Sequence, residues 1–273
     1  MVSRWGRVKQ RNGFRPFGMS LPASPALPDD LTRDGWLGGR LAIAQPREGY
    51  RAGLDAALLG AACDAEPGDR VLEAGCGAGA ALLAAAFRRP GARFLGLERD
   101  ADAARLGHEN AAHNGLLERV EVRVFDILGG FAALGEARFD AVIANPPFFD
   151  DPAALRAPAA AKRGAWMAEG GLAAWTGFLL AAVRDRGTIT LIHRADRLAD
   201  ILALLSAKSG SFQVRPIHPF AEAPAKRVLV RAVRGGKAPL LLLPPLVLHP
   251  TEGAKHTRQT EAVLRGEADL AWR

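Results

Sequence analysis

Between about residue 55 and residue 235 the chain alternates short apolar blocks with longer amphipathic ones. Arg70–Ala74, Ala92–Leu97, Val120–Val124 and 139–144 are blocks of five or six residues, the length of buried strands. Between and around them, Ala56 to Cys63, about 80–89 and 101–113 carry the spacing of helices, the last closed by Asn114-Gly115, a helix C-terminus signal. Beyond an Ala/Pro-rich loop at 150–165 the pattern resumes with a helix near 171–184, a strand at 187–192, a helix at 196–207, and strands at 211–217 and 227–233. Strands that alternate with helices at this spacing predict an α/β domain with a doubly wound, parallel sheet. Upstream, Leu37 to Ile43 reads as a short strand or hairpin arm after glycine breaks, and Gln45 to Asp55 reads as a loop.

Residues 1–30 show neither period. Arg, Gly, Ser and Pro dominate, which predicts a flexible tail; Met19, after the basic block, is a second candidate first residue. Residues 31–273 are then one domain with a core at about 55–235, and 49% apolar content is enough to fill it. The most apolar run, Pro239 to Leu248, is too short for a membrane span and is broken by a proline pair. The basic N-terminus lacks the apolar stretch of a secretory signal, so a soluble cytoplasmic protein is expected. Cys63 and Cys76 are the only cysteines and offer no disulfide or zinc framework. Of the net charge of +7, five positives sit at Arg4, Arg7, Lys9, Arg11 and Arg15, so bulk charge says little about a polyanionic partner.

Chemistry enters with Glu73-Ala74-Gly75-Cys76-Gly77-Ala78-Gly79, which leaves the first strand of the series and opens a helix. Glycines there allow positive φ and close approach of a ligand to the backbone, beside a helix N-terminus. Glu98, nineteen residues after Gly79, ends the next strand, where an acid accepts from ribose hydroxyls. Such a pair points to a nucleoside-containing cofactor. Glu73 would repel a pyrophosphate but attract an ammonium group, and Asp126 past the third strand is placed to accept from an adenine amine. Both features favour S-adenosylmethionine over NAD, although Asp126 taken alone also suits a helix cap.

The strand at 139–144 runs into Asn145-Pro146-Pro147-Phe148. Two prolines fix φ twice and remove two N–H donors, so the chain leaves the sheet as a stiff segment. That stiffness aims the Asn145 carboxamide and the Pro146 carbonyl outward beside the Phe148 ring. Two oxygen acceptors and an aromatic face suit a planar substrate bearing an NH2 group. A rigid strand-to-loop turn is the plainer reading of the same residues.

Taken together in this order, Glu73 to Gly79, Glu98, Asp126 and Asn145-Pro146-Pro147-Phe148 resemble the class I S-adenosylmethionine-dependent methyltransferases. The last motif looks like that of the branch that methylates adenine, guanine or glutamine nitrogens. Gln45 to Leu59, Asn110 and Asn114-Gly115-Leu116 look like the bacterial valine-tRNA adenine-N6-methyltransferases. The resemblance spans about residues 35–235, and Thr260 to Ala268 extends it. It implies a Rossmann-like, mostly parallel seven-stranded sheet. It also implies S-adenosylmethionine held by Glu73, Gly75, Cys76, Gly77, Gly79, Glu98, Asp126 and Asn145, with catalysis by Asn145, Pro146 and Phe148. Phe148 departs from the tyrosine commonest in the tRNA and glutamine enzymes; ribosomal guanine methylases share the Phe but usually follow it with His, where this chain has Phe149.

The expected substrate is therefore RNA, tRNA first, with Arg156, Lys162 and Arg163 as candidate contacts beside the pocket. Two further basic clusters are Lys226, Arg227, Arg231 and Arg234, and Lys255, His256 and Arg258; charged groups of this kind are commonly plain solvated surface. Trp166 and Trp175 are candidates to stack on bases, at least one of them being core. The six histidines are too dispersed for a local metal motif, so no metal is expected. Competing readings are an rRNA guanine or protein glutamine methyltransferase, a non-catalytic module that keeps the cofactor pocket, and a Rossmann oxidoreductase.

Overall fold

A computed structural model describes residues 27–48, 51–147 and 171–272 of the chain. It opens with an antiparallel hairpin, β1 (Leu31–Trp36) and β2 (Leu41–Pro46). The residues read as the start of a strand are the hairpin turn instead, with positive φ at Leu37, Gly38 and Gly39. Leu37 carries no strand periodicity because its side chain is buried sideways, against the chain at Gly266.

The alternating series follows: α1 (Leu54–Ala62), β3 (Arg70–Ala74), α2 (Ala80–Arg88), β4 (Arg93–Glu98), α3 (Ala101–His113), β5 (Val120–Val124) and β6 (Phe139–Ala144). After the undescribed stretch come α4 (Gly171–Ala182), β7 (Val183–Arg194), α5 (Leu198–Leu205), β8 (Ser209–His218) and β9 (Arg227–Arg234). These seven long strands lie in the order β8-β9-β7-β6-β3-β4-β5. Pairings from β7 through β5 are parallel, and β9 runs antiparallel between β7 and β8. The order reverses at β3, the switch point outside which ligands bind in open α/β sheets.

Both faces of the sheet are covered, so its strands are nearly continuous apolar runs rather than alternating ones. One face packs under α1, α2 and the hairpin through Leu58, Leu59, Leu82, Leu83 and Ile43. The other packs under α4 and α5 through Leu179, Ile201 and Leu205 against Leu72, Val142 and Ile189.

The apolar run after residue 238 is part of the sheet. Leu241–Leu242 (β10) and Leu246–Val247 (β11), split by Pro244-Pro245, each pair with β8 in parallel. A capped helix follows, α6 (Arg258–Leu264), with the Thr257 hydroxyl accepting from the Thr260 N–H at 3.2 Å. The chain then returns to α1, where Leu270 N–H donates to Ala61 O at 3.0 Å and Trp272 Nε1–H to Ala62 O at 2.8 Å. Two-residue strands have no period to read, which is why the pattern alone left this region as a bare apolar run. Among the described residues no helix is long and apolar enough to cross a membrane.

Candidate active site

The carboxyl ends of β6, β3 and β4 bring the predicted residues together. Ala74 pairs with Ala144 on one side and Leu97 on the other. The next residue of each strand is therefore Asn145, Gly75 and Glu98, side by side, with neighbouring backbones about 5 Å apart. Gly75, Gly77 and Gly79 all take positive φ (68°, 54° and 83°), and α2 starts directly after Gly79. A Cβ on Gly77 would meet nothing within 4 Å, so the loop has an open side there.

Glu98 ties the loop to the strand edge. One carboxylate oxygen accepts from the Gly77 N–H at 2.9 Å and the other from the Asp100 N–H at 2.9 Å. Each oxygen keeps a second lone pair, so the carboxylate can accept two more hydrogens. Asp126 lies past the end of β5, half exposed; its Oδ1 accepts from the Leu128 N–H at 3.0 Å and Arg99 stands 3.8 Å from Oδ2. Capping uses Oδ1 alone, and Oδ2 faces the Arg99 guanidinium.

Glu73 and Cys76 face inward. Glu73 is 2% exposed, and burial pushes its carboxyl well above the ordinary range, helped by the neighbouring Glu98 charge and opposed by the Leu82 N–H. Its Oε2 is buried without a hydrogen-bond partner among the described residues. The Cys76 thiol packs over Gly96, where an added Cβ would come within 2.7 Å of the sulfur, and burial raises its pKa well above the usual thiol value. Its backbone does the loop work, donating to Leu97 O at 3.0 Å and accepting from the Gly79 N–H at 2.8 Å.

Asn145 is partly exposed at the mouth, with Pro146 buried behind it. Phe148, Arg156, Lys162, Arg163 and Trp166 lie outside the described residues. Trp175 on α4 is half-buried and reaches the site from the second face, its ring against Gly75.

Some of the supporting residues carried no chemical signature in the sequence. Gly107 of α3 lets the helix touch the loop, since a Cβ there would sit 3.2 Å from Gly77 O. Asn110 is 1% exposed; its amide donates to Ala78 O at 2.9 Å and Ala44 O at 3.0 Å, while its oxygen accepts from the Ala44 N–H at 2.8 Å. One turn on, Asn114 repeats this with Ala42, at 2.9 Å to the N–H and 2.8 Å to the carbonyl. Four helical residues rise about 6 Å and two strand residues about 6.6 Å, so two amides at i and i+4 match alternate residues of β2. The helix thus offers a strand-like edge that fixes the hairpin beside the glycine loop. Asn110, a poor helix former inside α3, was the available clue.

Among the described residues no group of three or more His, Cys, Asp or Glu is placed to hold a metal ion.

The chain is similar to known methyltransferases in sequence and in fold. Residues 52–162 match the methyltransferase small domain. In a solved structure described as a predicted O-methyltransferase from Agrobacterium tumefaciens, the similarity has a TM-score of 0.66 at 26% identity, over 79% of this chain and 98% of that one. A structure described as a putative class I S-adenosylmethionine-dependent methyltransferase from Listeria monocytogenes shares the fold at TM-score 0.52 and 13% identity, over 78% of this chain and 68% of that one. The fold is that of the class I methyltransferases. A curated relative, the tRNA1(Val) (adenine(37)-N6)-methyltransferase of Enterobacter sp. (strain 638), is 36% identical over 121 residues, 44% of this chain and 49% of that protein. The chain thus spans about half the length of the curated relatives it matches. The resemblance drawn from the motifs, and the fold it implied, are borne out.

Proposed function

We propose that the protein is an S-adenosylmethionine-dependent N-methyltransferase that acts on an exocyclic amine of a nucleobase, adenine N6 in tRNA, in the cytoplasm. The observation that carries this reading is the row Asn145, Gly75, Glu98 at adjacent strand ends. It supports the reading because the Asn145 amide stands one strand away from the glycine loop.

The residues fit the cofactor. The open side of Gly77 leaves room for it, and Glu98 retains the lone pairs for two ribose hydroxyls. Asp126 has an oxygen for the adenine amine. Gly75, Cys76 and Gly79 contribute backbone, and Glu73, with a buried oxygen that has no hydrogen-bond partner among the described residues, is assigned to the ammonium group. When bound, S-adenosylmethionine supplies a methyl group activated by the positive sulfonium. The protein's task is then to prepare the nucleophile. An adenine amine is weakly nucleophilic because its lone pair is delocalised into the ring. Asn145 Oδ1 and the Pro146 carbonyl accept its two hydrogens, which favours a pyramidal nitrogen with its lone pair directed at the methyl group. Phe148 stacks on the base and holds it in line, a contribution of position. Arg156, Lys162 and Arg163, on the segment that follows, are assigned to the RNA phosphates. The activity named for the Enterobacter relative supports the choice of tRNA adenine.

Asn145→Ala tests the assignment. Turnover should fall by about two orders of magnitude or more, in kcat rather than KM, while affinity for the demethylated cofactor stays within a few-fold. The substrate itself is identified by incubating the wild-type enzyme with labelled cofactor and separate tRNA, rRNA and protein pools, followed by nucleoside analysis. N6-methyladenosine in tRNA is expected. N2-methylguanosine in rRNA or methylglutamine in protein would replace the substrate, and no label in any pool would remove the catalytic reading.

A further inference from the structure

Past the end of β8 three rings stand in a row. Phe220 and His249 have centroids 5.5 Å apart at 44°, and His249 and His256 are 5.2 Å apart at 24°, a stacked pair. The row is held by backbone. Leu248 N–H donates to His218 O at 2.8 Å, His249 N–H to Pro219 O at 2.9 Å, and Thr257 N–H to Leu248 O at 2.9 Å. His249 Nδ1 meets Lys255 O at 2.6 Å, and because a carbonyl only accepts, Nδ1 carries the hydrogen and the ring is fixed in orientation. Phe220, at the outer end, is 48% exposed. At the inner end His256 Nδ1 is buried without a hydrogen-bond partner among the described residues, beside a cleft of about 570 Å³ that also takes in Trp36, Leu54, Lys255 and Arg265.

The position of the row matters as much as its chemistry. β8 runs parallel to β6 and β7, so Phe220 emerges from the same edge of the sheet as Asn145. Three inter-strand steps separate β6 from β8, about 14 Å. That is farther than one nucleotide held at Asn145 can reach, and close enough for a neighbouring part of the same RNA. Exposed Lys226 and Lys255 flank the rings, but Glu222 and Glu252 are exposed there too, so the patch is not strongly basic. Its character is that of a stacking platform with few phosphate contacts.

We infer that Phe220, His249 and His256 form a second RNA-contact surface, on which an unpaired base of the substrate RNA stacks outside the methyl-transfer pocket. The inference rests on the RNA reading given above. Stacking on an aromatic ring is indifferent to base identity, so this surface contributes affinity and orientation, leaving the choice of base to the Asn145 site.

The full-length chain is tested by anisotropy with labelled total tRNA and a labelled single-stranded decamer of adenylate, across a salt series. Cofactor-product affinity by calorimetry serves as the control for folding. Phe220→Ala should weaken RNA binding about ten-fold, in the range lost with one stacked base, with the salt slope and the cofactor affinity unchanged. Phe220→Tyr should restore it. Phe220→Leu, apolar but without a stacking face, should not. At saturating tRNA, turnover of Phe220→Ala should match wild type. If wild type binds RNA and Phe220→Ala binds it equally well, the surface is wrong and the RNA reading stands. If Phe220→Leu restores affinity, the contact is not stacking and the inference is overturned. If wild type binds neither RNA, both the RNA reading and this surface fall.

Discussion

The ring of Trp175 occupies the space that a side chain on Gly75 would need: an ideal Cβ there lies 2.4 Å from Trp175 Cη2. The first glycine of the cofactor loop is thus fixed by a tryptophan from a helix a hundred residues later in the chain. Gly75 also holds φ at 68°, so a replacement meets two obstacles. Gly75→Ala should lower stability by about 2–4 kcal/mol, from backbone strain and overpacking together. The double variant Gly75→Ala/Trp175→Ala separates them. It removes the clash and keeps the strained φ, so urea denaturation should show only part of the loss recovered. Full recovery would mean that φ is not a constraint at this position.

Glu98 tethers the loop through the Gly77 N–H and is the residue proposed to accept from the ribose. Glu98→Ala should weaken binding of S-adenosylmethionine and its demethylated product by ten-fold or more in calorimetry, because ribose acceptors and the Gly77 tether are lost together. Glu98→Gln keeps one acceptor oxygen for the tether and should fall between. Equal affinity in all three proteins would remove Glu98 from the cofactor site.

Asn110 makes three hydrogen bonds to the backbone of Ala44 and Ala78, the two to Ala44 buried and the one to Ala78 partly so. Asn110→Ala strands those groups and should cost about 2–4 kcal/mol in chemical denaturation. Asn110→Asp is the sharper variant. It keeps the acceptor for the Ala44 N–H but turns a carboxylate toward two carbonyl oxygens, so it should be no more stable than Ala. An Asp variant as stable as wild type would show that the hairpin is not held by this amide.

His193, at the end of β7, is 3% exposed, and burial together with the nearby Arg227 charge pushes its pKa down to about 4. Its folded value lies below the unfolded 6.5, so between these limits the unfolded chain binds more protons. The stability carried by the neutral imidazole is complete above about pH 6.5 and is lost as pH falls toward 4. Glu73 acts in the opposite direction, since its raised folded pKa favours the native state at low pH and loses that contribution as pH rises. The urea midpoint of wild type, compared at pH 7 and pH 5, should therefore fall more than that of His193→Gln. Equal falls would mean that His193 titrates normally in the native protein.

The order of elements and the place of the glycine loop were legible because both are local. Strand blocks at 70–74, 120–124 and 139–144 coincide with β3, β5 and β6, and the glycine loop, Glu98, Asp126 and Asn145 were read from spacing along the chain. A buried parallel strand must be apolar throughout and a ligand loop must be glycine-rich, so these constraints are written in consecutive residues. What only the tertiary structure decided depends on partners distant in sequence. That the side chains of Glu73 and Cys76 are buried was not readable from the spacing of the loop. Trp175 left no sign of its contact with Gly75. Two asparagines one helical turn apart became a strand partner only because β2 runs along α3 at a matching rise. The two-residue strands beside β8, and the ring row at its end, exist only where an already folded edge supplies hydrogen bonds. Short-range patterning specifies each element's own burial; which side chains meet between elements is set when the faces pack, and no local period encodes that.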